Sequence, residues 1–406
     1  MPTRSLVVVE SHPVQYHAPV YRALQQDFGI PVTAVYGSDF SVGGYFDREF
    51  GAGFAWDADL LSGYTPLFVR RVAQGGAKSV DEVRAEGLAG RLNRLKPDAV
   101  LLTGYGSAFN RGAIRALRKS ALRVLFRGET TDHAAKRGWA KRAVRDAALG
   151  RLYRRCSGLL YIGQLSRAHY ERLGCPAEKL VFSPYCVDTT PFSADENGRR
   201  TFRDITRKEL GIDNGQIVVL FSGKLSPRKG PDLLVDAVRL LEEENQQRVV
   251  VAFLGSGEME EGLKRQATAP PTADARFIGF RNQSRLSAYY HAADVLCLPS
   301  RHSETWGLAV NEALHHGLPC LVSDAVGCAP DLITPEKTGW ICAAGRPDSL
   351  AQELRKAIGA AGGRQVRQRC REAVAGYTVE RAAAGIAEAF ESITTAAKSP
   401  PTRTER

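Results

Sequence analysis

Apolar residues in this chain come in short continuous runs, separated by polar or helix-periodic stretches. Leu6–Val9, Ile30–Tyr36, Asp98–Thr103 and Leu122–Phe126 are such runs, and Tyr153–Ile162 ends in another. The first is followed, after a loop, by a helix-like stretch, Val20–Phe28. Runs without the in–out alternation of a half-exposed strand predict parallel strands covered by helices on both faces. The rhythm restarts later: strands are predicted at Gln216–Phe221, Val249–Leu254, Arg276–Ile278, Val295–Leu298 and Pro319–Ser323. Helices are predicted at Pro231–Glu244, Glu258–Gln266 and through Asn311–His316. Two successive doubly wound α/β units describe this pattern most simply.

The stretch 189–215 is polar and turn-rich, with no apolar residue in Asp195–Arg200, and it predicts the linker. Glu380–Ser392 carries apolar positions at helical spacing, and Ala397–Arg406 reads as a frayed tail rich in Pro, Lys and Arg. The expected division is 1–195, 196–376, a final helix within 377–396, and the tail 397–406.

Composition narrows the class. Of 406 residues, 44% are apolar and 24% charged, which suits a folded protein of two domains. No apolar run approaches the roughly 20 residues of a membrane span, and no signal-peptide stretch opens the chain. The eight cysteines are scattered without a Cys-x-x-Cys pair, as expected of small buried hydrophobes in a reducing, cytoplasmic setting. The net charge of +11 is local: residues 101–155 hold 14 basic and 3 acidic residues. Within them Arg137, Lys141 and Arg145 fall on one helical stripe near Trp139. Attraction to an anionic membrane surface through 111–155, on the inner face of the membrane, and a merely solvated helix face are both open readings. Nucleic acid is not an expected partner, because no reading motif accompanies the basicity.

Two clusters carry candidate chemistry. Ser222-Gly223-Lys224-Leu225-Ser226-Pro227-Arg228-Lys229-Gly230 follows a buried strand and precedes a helix, where an α/β sheet presents its ligand crevice. Gly223 permits close backbone approach, and Lys224, Arg228 and Lys229 supply cations for a diphosphate. The second cluster, Pro299 to Leu314, places Glu304 and Glu312 eight apart after another buried strand, as acceptors for sugar hydroxyls.

Gly223-Lys224-Leu225…Lys229-Gly230, Gly255-Ser256-Gly257, Phe277-Ile278-Gly279-Phe280, Ala293-Asp294-Val295…Pro299-Ser300 and Glu304-x7-Glu312-Ala313 together resemble the nucleotide-sugar half of a retaining glycosyltransferase of family 4, the group 1 glycosyltransferases. The resemblance is specific over about 156–335 and architectural over 1–150. It implies a GT-B fold: two Rossmann-like domains face each other across a cleft, and the last helix crosses back onto the first domain. It also implies a hexosyl- or related glycosyltransferase that uses a nucleotide-diphosphate sugar and a hydroxyl acceptor, with neither cofactor nor bound metal, in polysaccharide, glycolipid or glycoconjugate synthesis.

The roles implied are residue by residue. Lys224, Arg228 and Lys229 would meet the diphosphate; Lys224 stands where the family usually has Arg, keeping charge without the bidentate fork. Glu312 would accept from the ribose, Glu304 would contact the transferred sugar, and Trp306-Gly307-Leu308 would offer backbone amides. Phe280 and Arg281 would border the base. Arg127 occupies a position where the family often has His, and His133 lies further on; either would touch the donor sugar, so they join Glu304 and Lys229 as catalytic candidates. His12, Gln15, Tyr16 and His17, in Ser11 to Pro19, replace the family's Gly-rich loop and are the acceptor-side candidates. Tyr185-Cys186-Val187-Asp188 stands in place of Asn-Gly-Val-Asp. A non-catalytic nucleotide-sugar-binding or assembly subunit, and an epimerase or phosphorylase on the same architecture, are the rival functions.

Overall fold

The computed structural model describes residues 4–47, 52–54, 56–133, 138–360 and 363–395. The predicted tail 397–406 lies outside them, as do Lys136 and Arg137 of the basic segment. The first half contributes β1 (Leu6–Glu10), β2 (Val32–Tyr36), a short hairpin of β3 (Tyr45–Asp47) and β4 (Ala52–Phe54), then β5 (Thr65–Phe68), β6 (Ala99–Leu102), β7 (Arg123–Arg127), β8 (Gly158–Tyr161) and β9 (Leu180–Phe182). Apart from the antiparallel hairpin, these form one parallel sheet in the order β5-β2-β1-β6-β7-β8-β9. The second half gives β10 (Ile217–Ser222), β11 (Val249–Leu254), β12 (Asp274–Gly279), β13 (Val295–Leu298), β14 (Cys320–Ser323) and β15 (Gly339–Cys342). These too are parallel, in the order β12-β11-β10-β13-β14-β15.

The central strands are buried on both faces, and this explains their unbroken apolar runs. All residues of β1, β6 and β11 are buried. Val219, Phe221, Val251 and Phe253 face one layer of helices, while Val218, Leu220, Val250 and Ala252 face the other. All eight cysteines are free thiols, and all but Cys175 are buried.

In both sheets the order reverses beside the first strand: between β1 and β6, and between β10 and β13. The connections leave those strand pairs in opposite directions and open a crevice at their carboxyl ends.

Two predicted stretches are corrected. The presumed linker 189–215 holds a 14-residue helix, Glu196–Glu209. Asp195 caps it, accepting from the Gly198 amide at 2.8 Å. Its inner face is held by charge rather than by an apolar stripe, so hydrophobic periodicity could not reveal it. Arg203 and Arg207 grip Asp294 at 2.6 and 3.2 Å, with Arg207 fully buried. The helix thus belongs to the second domain. The helix predicted over Pro231–Glu244 ends at Arg239, and a second begins at Glu243.

The last helix, Val379–Thr395, crosses back to the first domain. Its Ala382, Ala383, Ile386, Ala387 and Phe390 join the core formed by β1, β2 and the Ala18–Gln26 helix. Gly385 sits against the Phe182 carbonyl, where a Cβ would lie 2.0 Å from the oxygen. Phe390→Ala should therefore destabilise the first domain, although the helix follows the second in sequence. A loss of about 3–5 kcal/mol is expected. Chemical denaturation followed by probes in each domain checks this; loss confined to the second domain would contradict the packing.

Candidate active site

The loops after β10, β11 and β13 build the floor of a recess of about 390 Å³ between the domains. Gly255 has φ +142 and lies against Gly223, where a Cβ would come within 2.0 Å of the carbonyl oxygen. The Gly223 amide donates to Leu254 O at 2.9 Å, and the Leu225 amide to Ser256 O at 3.0 Å. These bonds aim the Lys224–Lys229 loop at the cleft. Across it, Gly307 (φ +101) starts the Leu308–His315 helix and points its N-terminus into the recess. A Cβ there would press on Val326 and Leu298 at 2.9 and 3.1 Å. Free amides and the helix dipole make that end receptive to an anion.

The charged groups are organised around Glu304. Its Oε2 lies 2.5 Å from Lys229 Nζ and 3.3 Å from Arg228 Nη1, and accepts from Ser300 Oγ at 3.1 Å. Any anion drawn to Lys229 shares it with this carboxylate. Glu312 lies deeper. Its Oε2 accepts from the Tyr290 hydroxyl at 2.5 Å, and that hydroxyl is 3.0 Å from Ser222 Oγ. Burial pushes its carboxyl up to about 7, against the opposing pull of the Tyr290 hydrogen bond and the Lys229 charge.

The first domain closes the other side. Gln15, Tyr16 and Trp56 line the same recess, with Trp56 edge-to-face on Phe280 at 6.3 Å. Asp57 accepts from the Ser284 hydroxyl at 2.6 Å. A second recess of about 310 Å³ adjoins it at the β1/β6 crevice, lined by His17, Gly104–Gly106, Asn110, Arg127, Thr130 and Arg145 among others. Glu129, Tyr185 and Thr305 border both recesses. The Tyr185 hydroxyl donates to Glu129 Oε1, and Thr305 Oγ1 donates to Oε2 at 2.8 Å, joining the domains. Asn311 adds a second tie, donating to Tyr185 O at 3.3 Å while its Oδ1 accepts from Trp306 Nε1 at 2.8 Å.

Residues 202–375 match the family model of glycosyl transferases group 1. A D-inositol 3-phosphate glycosyltransferase of Streptomyces scabiei is 34% identical over 161 residues, which is 37% of this chain and 36% of that protein. The chain thus covers about a third of the length of the curated relatives it first matches. Solved structures extend the likeness over both domains. Sucrose-phosphate synthase from Thermosynechococcus elongatus superposes with TM-score 0.71 at 16% identity, covering 97% of this chain and 100% of that one. Anabaena HepE in complex with UDP-glucose gives 0.69 at 17%, covering 96% and 99%. The fold is GT-B, two Rossmann-like domains across a cleft.

Within the group 1 segment, the donor-side candidates Gly223, Lys224, Arg228, Lys229, Phe280, Arg281, Glu304, Trp306, Gly307, Leu308 and Glu312 all line the 390 Å³ recess. The Trp306 ring is buried and donates to Asn311, so this residue offers the recess its backbone. The acceptor-side candidates divide: Gln15 and Tyr16 line the larger recess and His17 the smaller, while His12 lines neither and packs its ring on Phe40 at 4.5 Å.

Two catalytic candidates sit differently from expectation. Arg127 borders the smaller recess, but its Nε and Nη2 are occupied by Ser183 Oγ at 3.1 Å and Pro184 O at 2.7 Å. A buried guanidinium needs those acceptors, so it anchors the interdomain segment. His133 lines neither recess; its Nε2 meets the Asp324 carbonyl at the domain border. Arg145, placed by helical spacing on the basic stripe, instead turns inward to Asp132 at 3.2 Å and to the Thr131 carbonyl. Along the Trp139–Arg155 helix, Lys141, Arg142 and Arg151 are exposed, as are Trp139 (85%) and Val144 (73%).

Glu129 carried no role in the sequence reading. Its position just past β7, at the carboxyl end of a parallel strand, was the available signal. Trp56 had none, since it lies in an irregular stretch.

The raised Glu312 carboxyl has a stability consequence. The folded chain retains this proton over a pH range in which the unfolded chain has lost it, so stability falls as pH rises from about 4.5 through about 7. Glu312→Gln lacks that loss. Its stability relative to the parent should rise across this window by about 3 kcal/mol. Urea denaturation from about pH 5 to pH 8 checks this; a difference independent of pH would refute the assignment.

Proposed function

We propose that the chain is a retaining glycosyltransferase that moves a sugar from a nucleotide-diphosphate donor to a hydroxyl acceptor in polysaccharide, glycolipid or glycoconjugate synthesis. The observation that carries this reading is the 390 Å³ recess. It gathers Lys224, Arg228, Lys229 and the Gly307 helix end around a space bounded by the buried Glu312 and by Phe280 and Arg281. A diphosphate, a ribose and a base need those partners in that succession. The names of the relatives, an inositol phosphate glycosyltransferase and a GDP-mannose-dependent mannosyltransferase among them, support the same chemistry.

The residues act as follows. The anomeric C–O bond to the diphosphate breaks, and negative charge gathers on the leaving phosphate. Lys229, Arg228 and the Gly307–Leu308 amides stabilise it, as preorganised donors in a partly dry cleft do. The sugar passes through an oxocarbenium-like state. Glu304 contacts that sugar while holding Lys229 in position. The acceptor hydroxyl forms the new bond from the face the diphosphate leaves, and its proton passes to the departing phosphate oxygen. Configuration is thereby retained. Glu312 accepts the ribose hydroxyls, and Gln15, Tyr16 and His17 form the acceptor side.

The exposed helix face supports a location. Val144, exposed between Lys141 and Arg151 on one side of the helix, and Trp139, exposed at its start, are apolar groups set among cations, which suits the interface of an anionic bilayer. Such docking would hold the smaller recess near a lipid-linked acceptor.

Three measurements test these readings. Lys229→Ala should lower kcat/KM by the equivalent of about 3 kcal/mol, roughly a hundredfold, and Glu304→Ala should impair turnover more than nucleotide binding. Near-parental transfer by Lys229→Ala would sink the donor assignment. Co-sedimentation with vesicles containing phosphatidylglycerol should fall with added salt and with Trp139→Ser; indifference to lipid charge and salt would remove the membrane reading alone.

A further inference from the structure

The first domain holds a further recess, of about 170 Å³, whose lining residues border neither of the other two. It lies between the Ala108–Arg118 and Trp139–Arg155 helices, beside β6 and β7. Leu102, Leu117, Val124 and Cys156 are buried in its wall, and Ile114 and Leu152 are half-buried. The one hydroxyl in the lining is already used: Ser120 Oγ donates to the Leu117 carbonyl at 2.9 Å. Burial pushes the Cys156 thiol up to about 12, against the pull of Lys179, so it stays uncharged. The interior of this slot is apolar.

Its opening is cationic. Arg118 and Arg155 complete the lining and are both exposed. Such side chains lay their stems along apolar surface and keep their heads in water. The Arg155 guanidinium reaches only the Arg118 carbonyl, at 3.4 Å. Lys119, Arg123, Arg151 and Arg154 adjoin lining residues in sequence, and residues 99–128 contain no acid. The single acid of the second helix, Asp146, is taken by Arg172 at 2.7 Å. None of these six cations forms an ion pair among the described residues. Both helices end here, and each C-terminus carries roughly half a negative charge. Six cations exceed that several-fold, and Lys179 adds another at the Cys156 carbonyl, 2.9 Å away. A solvated basic face needs no apolar slot, and a packing gap needs no ring of unpaired cations. Together they match a ligand that is anionic at one end and apolar at the other.

Size narrows the ligand. An apolar cavity of ~150 Å³ admits one benzene ring, so this slot takes an apolar group of about six carbons. We propose that it binds a single anionic amphiphile, an alkyl phosphate or carboxylate, with about six carbons in the slot and the anion on Arg118 and Arg155. The chains of a bilayer lipid run away from a protein adsorbed on the headgroups, so a chain seated here belongs to a molecule bound singly. The inference stands apart from the donor reading and from the exposed Trp139.

The test is isothermal titration calorimetry of the full chain with butyl, hexyl and octyl phosphate, inorganic phosphate and 1-hexanol, each below its aggregation concentration. Affinity should rise about fourfold per methylene from butyl to hexyl phosphate and level off at octyl. Inorganic phosphate and hexanol should each bind at least about tenfold more weakly than hexyl phosphate. Leu152→Trp fills the slot and should abolish the dependence on chain length; Ile114→Phe does the same from the facing helix should the first variant not fold. Replacing Arg118 and Arg155 together by Ala should weaken hexyl phosphate by about tenfold and leave hexanol unchanged. Trp139→Ser should bind hexyl phosphate like the parent, and vesicles containing phosphatidylglycerol should not displace it. The proposal is overturned if affinity ignores chain length, if inorganic phosphate or hexanol binds as tightly as hexyl phosphate, or if the filled variants bind like the parent. Displacement by the vesicles, or loss of binding in Trp139→Ser, would overturn it equally by assigning the chain to a bilayer.

Discussion

In each domain, chain connections depart in opposite directions from two neighbouring parallel strands, β1 with β6 and β10 with β13. No helix can cover the carboxyl ends at that point, because the flanking helices lie on opposite faces of the sheet. The uncovered ends must be finished by loops, and loops at strand ends carry much of the polar lining of the cleft. Lys224–Lys229 follows β10, Glu304–Leu308 follows β13, Gln15 and His17 follow β1, and Glu129 follows β7. Turned toward each other, the two crevices become one cleft with two recesses.

The domain contact is itself polar and runs through the site. Glu129 takes hydroxyls from Tyr185 and from Thr305, and Asn311 links Tyr185 to Trp306. The residues holding the domains together are therefore neighbours of those that line the two recesses. Further out, Asp331 accepts from the Gln164 amide and the Tyr377 hydroxyl, both at 3.0 Å, and the last helix locks onto the first domain. This arrangement couples the spacing of the recesses to small shifts at a few side chains. Interfaces within one chain that are largely polar permit such relative motion.

Charge follows a similar division. Two of the cations facing the larger recess, Lys229 and Arg228, are balanced locally by Glu304. The positive charge of the first half is distributed between exposed helix positions and ion pairs such as those of Arg145 and Arg172 with Asp132. Net charge by segment thus overstated what the surface presents.

The parallel strands, and the gathering of the Gly223–Gly230 and Glu304–Leu308 loops at one recess, were legible because their causes are local. A strand buried on both faces must be apolar throughout, as β1 and β11 are, and a loop that approaches a diphosphate needs Gly and cations within a few residues, as Gly223 to Gly230 has. That Glu304 and Glu312 would line one recess was legible for the same reason, their spacing being set by one loop and one helix. The helix Glu196–Glu209 was not, because its inner face is fastened by Arg203 and Arg207 to a distant Asp294. Nor were the pairing of Glu129 with Thr305, 176 positions apart, the diversion of Arg127 to Ser183 and Pro184, or the seating of Trp56 on Phe280. Such contacts depend on which strand ends face each other after both sheets have closed, and side-chain type and spacing along one element carry no record of that.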